Sequence, residues 1–256
     1  MELITLLDRF PLWSLLPITI GIALLSVEIG RRIADYRQRH EAQEKEAPVG
    51  AMVGGTLGLL AFMLAFTFGL AGARFEARRQ ILLQEANAIG TCYLRAAMLS
   101  EPMRTESQNL LREYVDVRLD AVQHGKLEEG LAKSEEIHRR LWAVAITAAE
   151  KEKNVITSLF IQSLNEVIDL HATRVMAGIR GRVPGIIWIV LYFLLILVMV
   201  MLGYQSGLAK SRRSLAGLAL VIGFSSVFYL IADLDRPGKG LLQTSQEAMT
   251  DLRRTI

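Results

Sequence analysis

The chain has 256 residues, of which 52% are hydrophobic and 21% are charged, and its formal net charge is +3. A soluble domain of this length is rarely so apolar, and the apolar residues gather into separate segments, which is typical of membrane proteins. The small positive charge comes from Lys and Arg beside those segments. It therefore gives no support to nucleic-acid binding, and we expect no nucleic-acid partner.

The first apolar segment, residues 12–29, is long enough to span a membrane. Pro17 lies inside it, which a lipid-embedded helix tolerates when its neighbours satisfy the freed carbonyl group. Near the end of the segment, Glu28 has Arg31 and Arg32 three and four residues further on. This spacing predicts an ion pair at the membrane interface, and the alternative is an ion-handling carboxylate inside the membrane.

A long helix is predicted over residues 48–99, after a polar linker. Residues 49–73 are apolar and uncharged, and helix-forming sequence continues beyond them without a breaker as far as Ser100-Glu101-Pro102. At about 1.5 Å per residue, such a helix would be on the order of 75 Å long, more than twice the thickness of the hydrocarbon core. We therefore predict that it crosses the membrane and continues into water. Residues 1–73 then form a first transmembrane hairpin.

Residues 74–183 show no strand-like alternation, and their apolar residues recur three and four positions apart. This pattern predicts a helical extramembrane domain. Residues 184–232 predict a second transmembrane hairpin, with spans at about 186–203 and 215–232. The predicted fold is therefore an all-α integral membrane protein with four transmembrane helices and a helical domain between the second and third.

Residues 233–256 follow the last span. They begin with a turn sequence at the membrane edge that contains Asp233, Asp235, Pro237 and Gly238. A short amphipathic helix over about residues 242–254 then ends the sequence.

The sequence carries no signature of an enzyme or of a metal site. None of His40, His124, His138 and His171 has a second histidine or a cysteine three or four positions away, and no GxSxG, Walker A or GxGxxG motif occurs. Cys92, the single cysteine, falls on an apolar stripe, where a buried thiol is far commoner than a nucleophile. We expect no catalytic activity, no cofactor and no metal ion.

One face of the long helix combines small residues with two aromatic rings. The residues that recur on it at three-and-four spacing are Gly55, Gly58, Phe62, Ala65, Phe66, Gly69 and Ala73. Glycines let helices approach closely, so Gly54, Gly55 and Gly69 are candidates for helix packing. If several copies surround an axis, Phe62 and Phe66 would instead form stacked apolar rings that constrict a pore. Both interpretations stay open, and the residues alone favour packing.

Residues 64–75 (LAFTFGLAGARF) resemble the second transmembrane helix of the bestrophin chloride channels, in which an apolar neck leads to an Arg-aromatic pair. The turn at residues 233–238 resembles the acidic-proline-glycine element after the last bestrophin span, and the order of spans and helical domain also agrees. The stretch from Arg78-Arg79 to residues 85–91 (EANAIGT) is more closely similar to a bacterial group described as a bestrophin-like domain. That similarity covers nearly the whole chain.

The resemblance implies a homopentamer in the bacterial inner membrane, with five long helices around a path for chloride or other inorganic anions. The neck would map onto Phe66 and Phe62, with Gly58 one turn further along the helix. A glycine at that position departs from the bulky neck residue of the family, which moves the expected constriction toward Leu59.

The calcium clasp of animal bestrophins has no counterpart here beyond Asp233 and Asp235, so calcium gating is not expected. The alternative function is that of a non-conducting membrane scaffold or signalling protein whose helical domain binds a partner.

Two arguments about membrane orientation oppose each other. The two hairpins carry basic residues that the positive-inside rule places in the cytoplasm, namely Arg31, Arg32, Arg37, Arg39, Lys45, Lys210, Arg212 and Arg213. Basic residues beside the helical domain favour the opposite orientation, as do the bestrophins, which keep this domain in the cytoplasm. The basic residues in question are Arg74, Arg78, Arg79, Arg180 and Arg182. We favour the arrangement with the helical domain outside the cytoplasm.

Overall fold

The computed structural model of the protein describes residues 11–40, 46–179, 181–209, 215–236 and 240–256. Within these ranges every regular element is an α-helix and no strand occurs, which confirms the predicted all-α class. The helices are α1 (Leu12–His40), α2 (Glu46–Ala96), α3 (Met103–Gln123), α4 (Leu127–Lys151), α5 (Val155–Ile179), α6 (Gly185–Leu208), α7 (Leu215–Asp235) and α8 (Glu247–Thr255).

Helices α1, α2, α6 and α7 are long and apolar enough to cross a membrane, so the four predicted spans are confirmed by length and composition. Helix α1 continues past its apolar part to His40, and Arg37 and Arg39 lie in its last turn, where cations complement the helix dipole. The predicted ion pair is present, with Nε of Arg32 lying 3.1 Å from Oε1 of Glu28.

The chain divides into two compact units. Unit 1 comprises Met1–Arg74 and Arg182–Leu242, and unit 2 comprises Phe75–Gly181 and Gln243–Ile256. Unit 1 therefore holds the four apolar segments, and unit 2 holds the helices between and after them.

In unit 1, helices α1 and α6 touch along glycines. A Cβ atom added to Gly203 would lie 2.0 Å from the carbonyl oxygen of Val27, and one added to Gly30 would lie 2.0 Å from that of Val200. The backbones of α1 and α6 are in direct contact at these two positions, so only glycine fits there. Further along the same helices, the hydroxyl groups of Thr19 and Tyr192 are 3.0 Å apart.

Unit 2 packs the C-terminal part of α2 with α3, α4, α5 and α8 around one apolar core. Its largest contributors include Ile89, Leu111, Tyr114, Leu141, Phe160, Leu164 and Met249. They recur at helical spacing because each helix turns one stripe toward the same centre. Cys92 is fully buried in this core, as the sequence predicted.

The C-terminal helix α8 begins at Glu247, five residues later than the predicted residue 242. The hydroxyl oxygen of Ser245 accepts a hydrogen bond from the Glu247 amide at 3.2 Å, a local turn that starts the helix. The helix is amphipathic as predicted, since Met249 is fully buried while Arg253 pairs at the surface with Asp116.

Candidate functional site

The apolar part of α2 has one packed face. Leu60, Leu64, Thr67 and Ala71 are buried there, at three-and-four spacing. Near the start of the same helix, the hydroxyl of Thr56 lies 3.8 Å from the sulfur of Met201 in α6. One side of α2 is therefore committed to contacts within unit 1.

The opposite side of α2 is left unpacked by the residues that the structure describes. We call it the outer α2 face and define it as Gly54, Gly55, Gly58, Phe62, Ala65, Phe66, Gly69 and Ala73. Among the described residues, no atom lies within 4 Å of a Cβ added to Gly54, Gly55, Gly58 or Gly69. Phe62 and Phe66 are 66% and 62% exposed, and Leu59 beside them is 49% exposed. The predicted neck residues thus lie together on an exposed surface. The predicted packing glycines make no close contact with any other described residue.

The chemistry of the outer α2 face is apolar throughout. No charged residue occurs between Pro48 and Ala73. The hydroxyl groups of Thr56 and Thr67 both donate to carbonyl oxygens one turn earlier in the same helix. The face therefore offers aromatic rings and bare backbone, which suit close helix packing or an apolar constriction that holds back water.

Asp233 and Asp235, which the sequence placed in a turn, belong instead to the last turn of α7 and are buried. Both are bonded to backbone amides of unit 1. The carboxylate of Asp233 accepts hydrogen bonds from the amides of Leu241 and Leu242 at 2.8 and 3.0 Å. That of Asp235 accepts one from the amide of Val183 at 2.6 Å. Through these hydrogen bonds, the end of α7 holds the segment at Leu241–Leu242 and the segment at Val183 in place.

Pro237 and Gly238, the other predicted turn residues, lie outside the described residues, as do Lys45, Arg180, Lys210, Arg212 and Arg213. A Cβ added to Gly240 would lie 1.8 Å from Oδ1 of Asp233, so only glycine allows the chain to pass this carboxylate. Within the described ranges, no group of three His, Cys, Asp or Glu side chains is arranged to hold a metal ion.

Unit 2 contains a buried ionic cluster that sequence reasoning missed. Its centre is Glu85 of α2, which is fully buried. Oε1 of Glu85 accepts a hydrogen bond of 2.6 Å from the hydroxyl of Tyr114, and Oε2 accepts one from Arg174. Nε of Arg118 lies 3.6 Å from Oε1. One carboxylate in the core is thus matched by two guanidinium groups.

Electrostatics in this cluster keep Glu85 ionised. Burial by itself would raise the pKa of Glu85, but the positive charges of Arg174 and Arg118 and the hydrogen bond from Tyr114 bring that pKa below its ordinary value. Burial, together with the charge of Glu85, raises the pKa of Tyr114 well above its ordinary value. At neutral pH, Glu85 is therefore a carboxylate and Tyr114 a neutral donor.

The sequence held only a weak signal for this cluster. Glu85 interrupts the apolar stripe of Leu82, Ala86 and Ile89, and His171 continues the stripe of α5, so each could have been marked as a polar residue at a buried position. Which charges meet there depends on helix pairing, which periodicity does not determine.

Among known proteins, the family model described as the Bestrophin-like domain matches residues 18–249 of the chain. No curated protein and no solved structure matches the chain.

Proposed function

The chain belongs to the bestrophin-like domain family, and on that premise we propose that it is an oligomeric membrane channel that conducts chloride or similar inorganic anions. The outer α2 face lines the path in this proposal, with Phe62 and Phe66 as its neck. No catalytic step, cofactor or metal ion is part of it.

The observation that supports this function is the outer α2 face. This face combines glycines that have no close neighbour among the described residues with two exposed aromatic rings. Small residues on membrane helices usually mark close contact with another helix. Phe62 and Phe66 are one helical turn apart, so copies of α2 around an axis would form two successive rings of phenylalanine. Such rings constrict a pore by excluding water.

The absence of acidic groups supports anion rather than cation conduction. Cation-selective pores commonly carry rings of Asp or Glu. None occurs between Pro48 and Ala73, and the first charged residue after this stretch is Arg74. A cation at the end of an apolar neck attracts anions toward it.

The family resemblance suggests five copies in a bacterial inner membrane. We also propose that the helical domain lies outside the cytoplasm, because the basic end of α1, with Arg37 and Arg39, belongs to a short loop and obeys the positive-inside rule there. A cysteine placed at the exposed Lys133 in a Cys92→Ser background tests this. It should react with a membrane-impermeant maleimide in spheroplasts, and labelling only after lysis would reverse the orientation.

The function itself is tested by purifying the full chain in detergent, measuring its mass and reconstituting it in a planar bilayer. We expect an oligomer and currents whose reversal potential follows the chloride gradient. A monomer leaves no room for a central path and would overturn the proposal. The proposal would also be overturned if a verified oligomer gave no current after reconstitution in the bilayer.

A second candidate is a non-conducting scaffold whose helical domain binds a partner. It is favoured by a groove of about 210 Å³ on unit 2 between α4 and α5, lined mainly by apolar side chains such as Trp142, Ile146 and Ile161. Exposed apolar grooves outside the membrane commonly bind other proteins. Liposomes without leak, together with a stable protein that co-purifies and is released by Trp142→Ala, would favour this function.

A further inference from the structure

Two histidines lie inside unit 2, against the ionic cluster around Glu85. His138 of α4 and His171 of α5 are both more than nine-tenths buried. Their rings meet edge to face with centroids 4.9 Å apart, and the ring of Tyr114 lies 4.8 Å from that of His138. Histidine is the side chain whose charge changes most readily near neutral pH, so a buried pair is sensitive to acid.

The hydrogen bonds show which nitrogen atoms are open to a proton. The hydroxyl of Tyr114 donates to Glu85, so its oxygen accepts from Nδ1 of His171, which lies 2.9 Å away. This assigns the proton of neutral His171 to Nδ1 and leaves Nε2 as the site for a second one. Nε2 of His138 is buried and has no hydrogen-bond partner among the described residues. A proton added there would have no acceptor in the described part of unit 2.

The charges that face the pair come from every helix packed around it. The charged groups are Glu85 of α2, Arg118 of α3 and Arg174 of α5, and the titratable but neutral Tyr114 of α3 lies beside them. Neutral Gln246 is bonded to Arg174 at 3.2 Å. With both histidines neutral, one carboxylate faces two guanidinium groups. With both protonated, four cations would surround that carboxylate in a buried space, a costly arrangement.

We propose that His138 and His171 form an acid sensor in the helical domain: proton uptake by the pair drives α4 and α5 away from Glu85 and opens the core. The pair sits where α2, α3, α4 and α5 meet, so opening there exposes the packed residues of all four helices. The step is reversible. When the two histidines lose their protons, the closed state is restored, in which Glu85 pairs with Arg118 and Arg174. It is independent of whether the protein conducts ions.

The direction of the electrostatics agrees with this role. Burial lowers the pKa of His138 to about 4, although the negative charge of Glu85 acts in the opposite direction. Burial together with the charges of Arg118 and His138 lowers the pKa of His171 to about 4, again against the charge of Glu85. In the open state both return toward the ordinary value of about 6.5. The closed state is therefore favoured above about pH 6.5 and loses stability progressively as the pH falls toward 4.

Cys92 provides a reporter of the opening in the full chain. It is the single cysteine and is fully buried in the same core. Dithiodipyridine reacts with thiols even at acid pH, so its rate with Cys92, divided by the rate in denaturant, measures opening at each pH. In detergent-solubilised wild-type protein, we expect this ratio to rise more than tenfold between about pH 6.5 and about pH 4.

The test variant is His138→Gln/His171→Gln, and the matched control is His40→Gln/His124→Gln, which replaces two exposed histidines. The control should follow wild type, whereas the test variant should show a flat profile or one displaced by at least about one pH unit. A test variant that follows wild type would overturn the proposal. So would a wild-type Cys92 that stays unreactive down to pH 4.

If the double variant does not fold, His138→Gln alone serves, since Nε2 of His138 makes no hydrogen bond with any residue that the structure describes. A second measurement needs no variant. Imidazole nitrogen spectra of the wild-type protein should show two buried histidines gaining protons over the pH range in which Cys92 becomes reactive. Proton uptake outside that range would contradict an acid sensor built from this pair.

Discussion

The hydroxyl of Tyr114 donates a hydrogen bond of 2.6 Å to Oε1 of Glu85, and both side chains are fully buried in unit 2. A buried carboxylate is tolerated only when it is paired and hydrogen-bonded. Here Tyr114, Arg118 and Arg174 meet that requirement from two other helices. The cluster therefore ties α3 and α5 to α2 more specifically than apolar contacts would.

Replacing Glu85 by Gln should destabilise the protein strongly, because the change leaves Arg118 and Arg174 buried without a counter-charge. We expect a loss of about 3–5 kcal/mol in the free energy of unfolding. Denaturant unfolding of the purified protein in detergent measures it. The control is Glu76→Gln on the same helix, whose exposed ion pair with Arg79 spans 3.9 Å and should contribute at most about 1 kcal/mol. Equal effects of the two variants would contradict a special role for Glu85.

The contact of α1 with α6 predicts a large effect from one added methyl group. Gly203→Ala would place Cβ 2.0 Å from the carbonyl oxygen of Val27, so the helices must separate. The expected cost is about 1–3 kcal/mol, seen as a lower unfolding temperature in detergent. Gly21→Ala on α1 is the matched control, since no atom of residues 11–40, 46–179, 181–209, 215–236 or 240–256 lies within 4 Å of its added Cβ. A normal unfolding temperature for the Gly203 variant would show that the two helices do not touch there.

The turn after α7 should depend on Asp233 as an acceptor of backbone hydrogen bonds. Asp233→Ala leaves the amides of Leu241 and Leu242 without their partner and should cost about 1–3 kcal/mol. Thermal unfolding in detergent reports this loss. Asp251→Ala, at an exposed position paired with Arg254, should be nearly neutral. If calcium ions stabilised wild type but not the Asp233 variant, this carboxylate would be a metal ligand and the present assignment would be wrong.

The neck hypothesis predicts how conductance responds to ring removal. Phe62→Ala/Phe66→Ala widens the proposed constriction and should raise single-channel chloride conductance severalfold. Phe68→Ala is the control, because this ring is also exposed but points to a different side of α2. Recordings in planar bilayers compare the three proteins. Unchanged conductance in the double variant, or an equal rise in the control, would remove Phe62 and Phe66 from the neck.

Cys92 should be chemically silent in the native protein near neutral pH. Burial raises the pKa of its thiol to about 11, so at pH 8 only about one thiol in a thousand would be the reactive thiolate. Mass spectrometry should find no iodoacetamide adduct on the native protein and complete alkylation in denaturant. Rapid native alkylation would mean that the core of unit 2 opens readily even at this pH.

Sequence patterns predicted the elements that depend on local composition. The four apolar segments and the helical class are confirmed, since length and hydropathy alone decide whether a helix can span a bilayer. The ion pair of Glu28 with Arg32 was predictable for the same reason, because its two residues share one turn. The resemblance carried by residues 64–75 and 233–238 led to the correct family.

Other features depend on residues far apart in the sequence. Glu85 meets Arg174 across 89 positions, and Asp235 binds the amide of Val183 across 52. Sequence reasoning placed Asp233 and Asp235 in a turn but did not show that they are buried and hold other segments. It also proposed glycines of α2 for close packing, whereas in the described residues glycines with no room for a Cβ lie at Gly30 of α1 and Gly203 of α6.

By itself, the sequence determined that this protein is built from helices, that four of them suit a membrane, and to which family it belongs. These properties follow from the hydropathy and periodicity of each segment. Both are set by the local sequence and do not depend on which other segments pack beside it. Only the tertiary structure decided which side of α2 stays open and which charges share the core of unit 2. Those outcomes depend on which helices pair and at what rotation, and many pairings satisfy the same hydrophobic pattern.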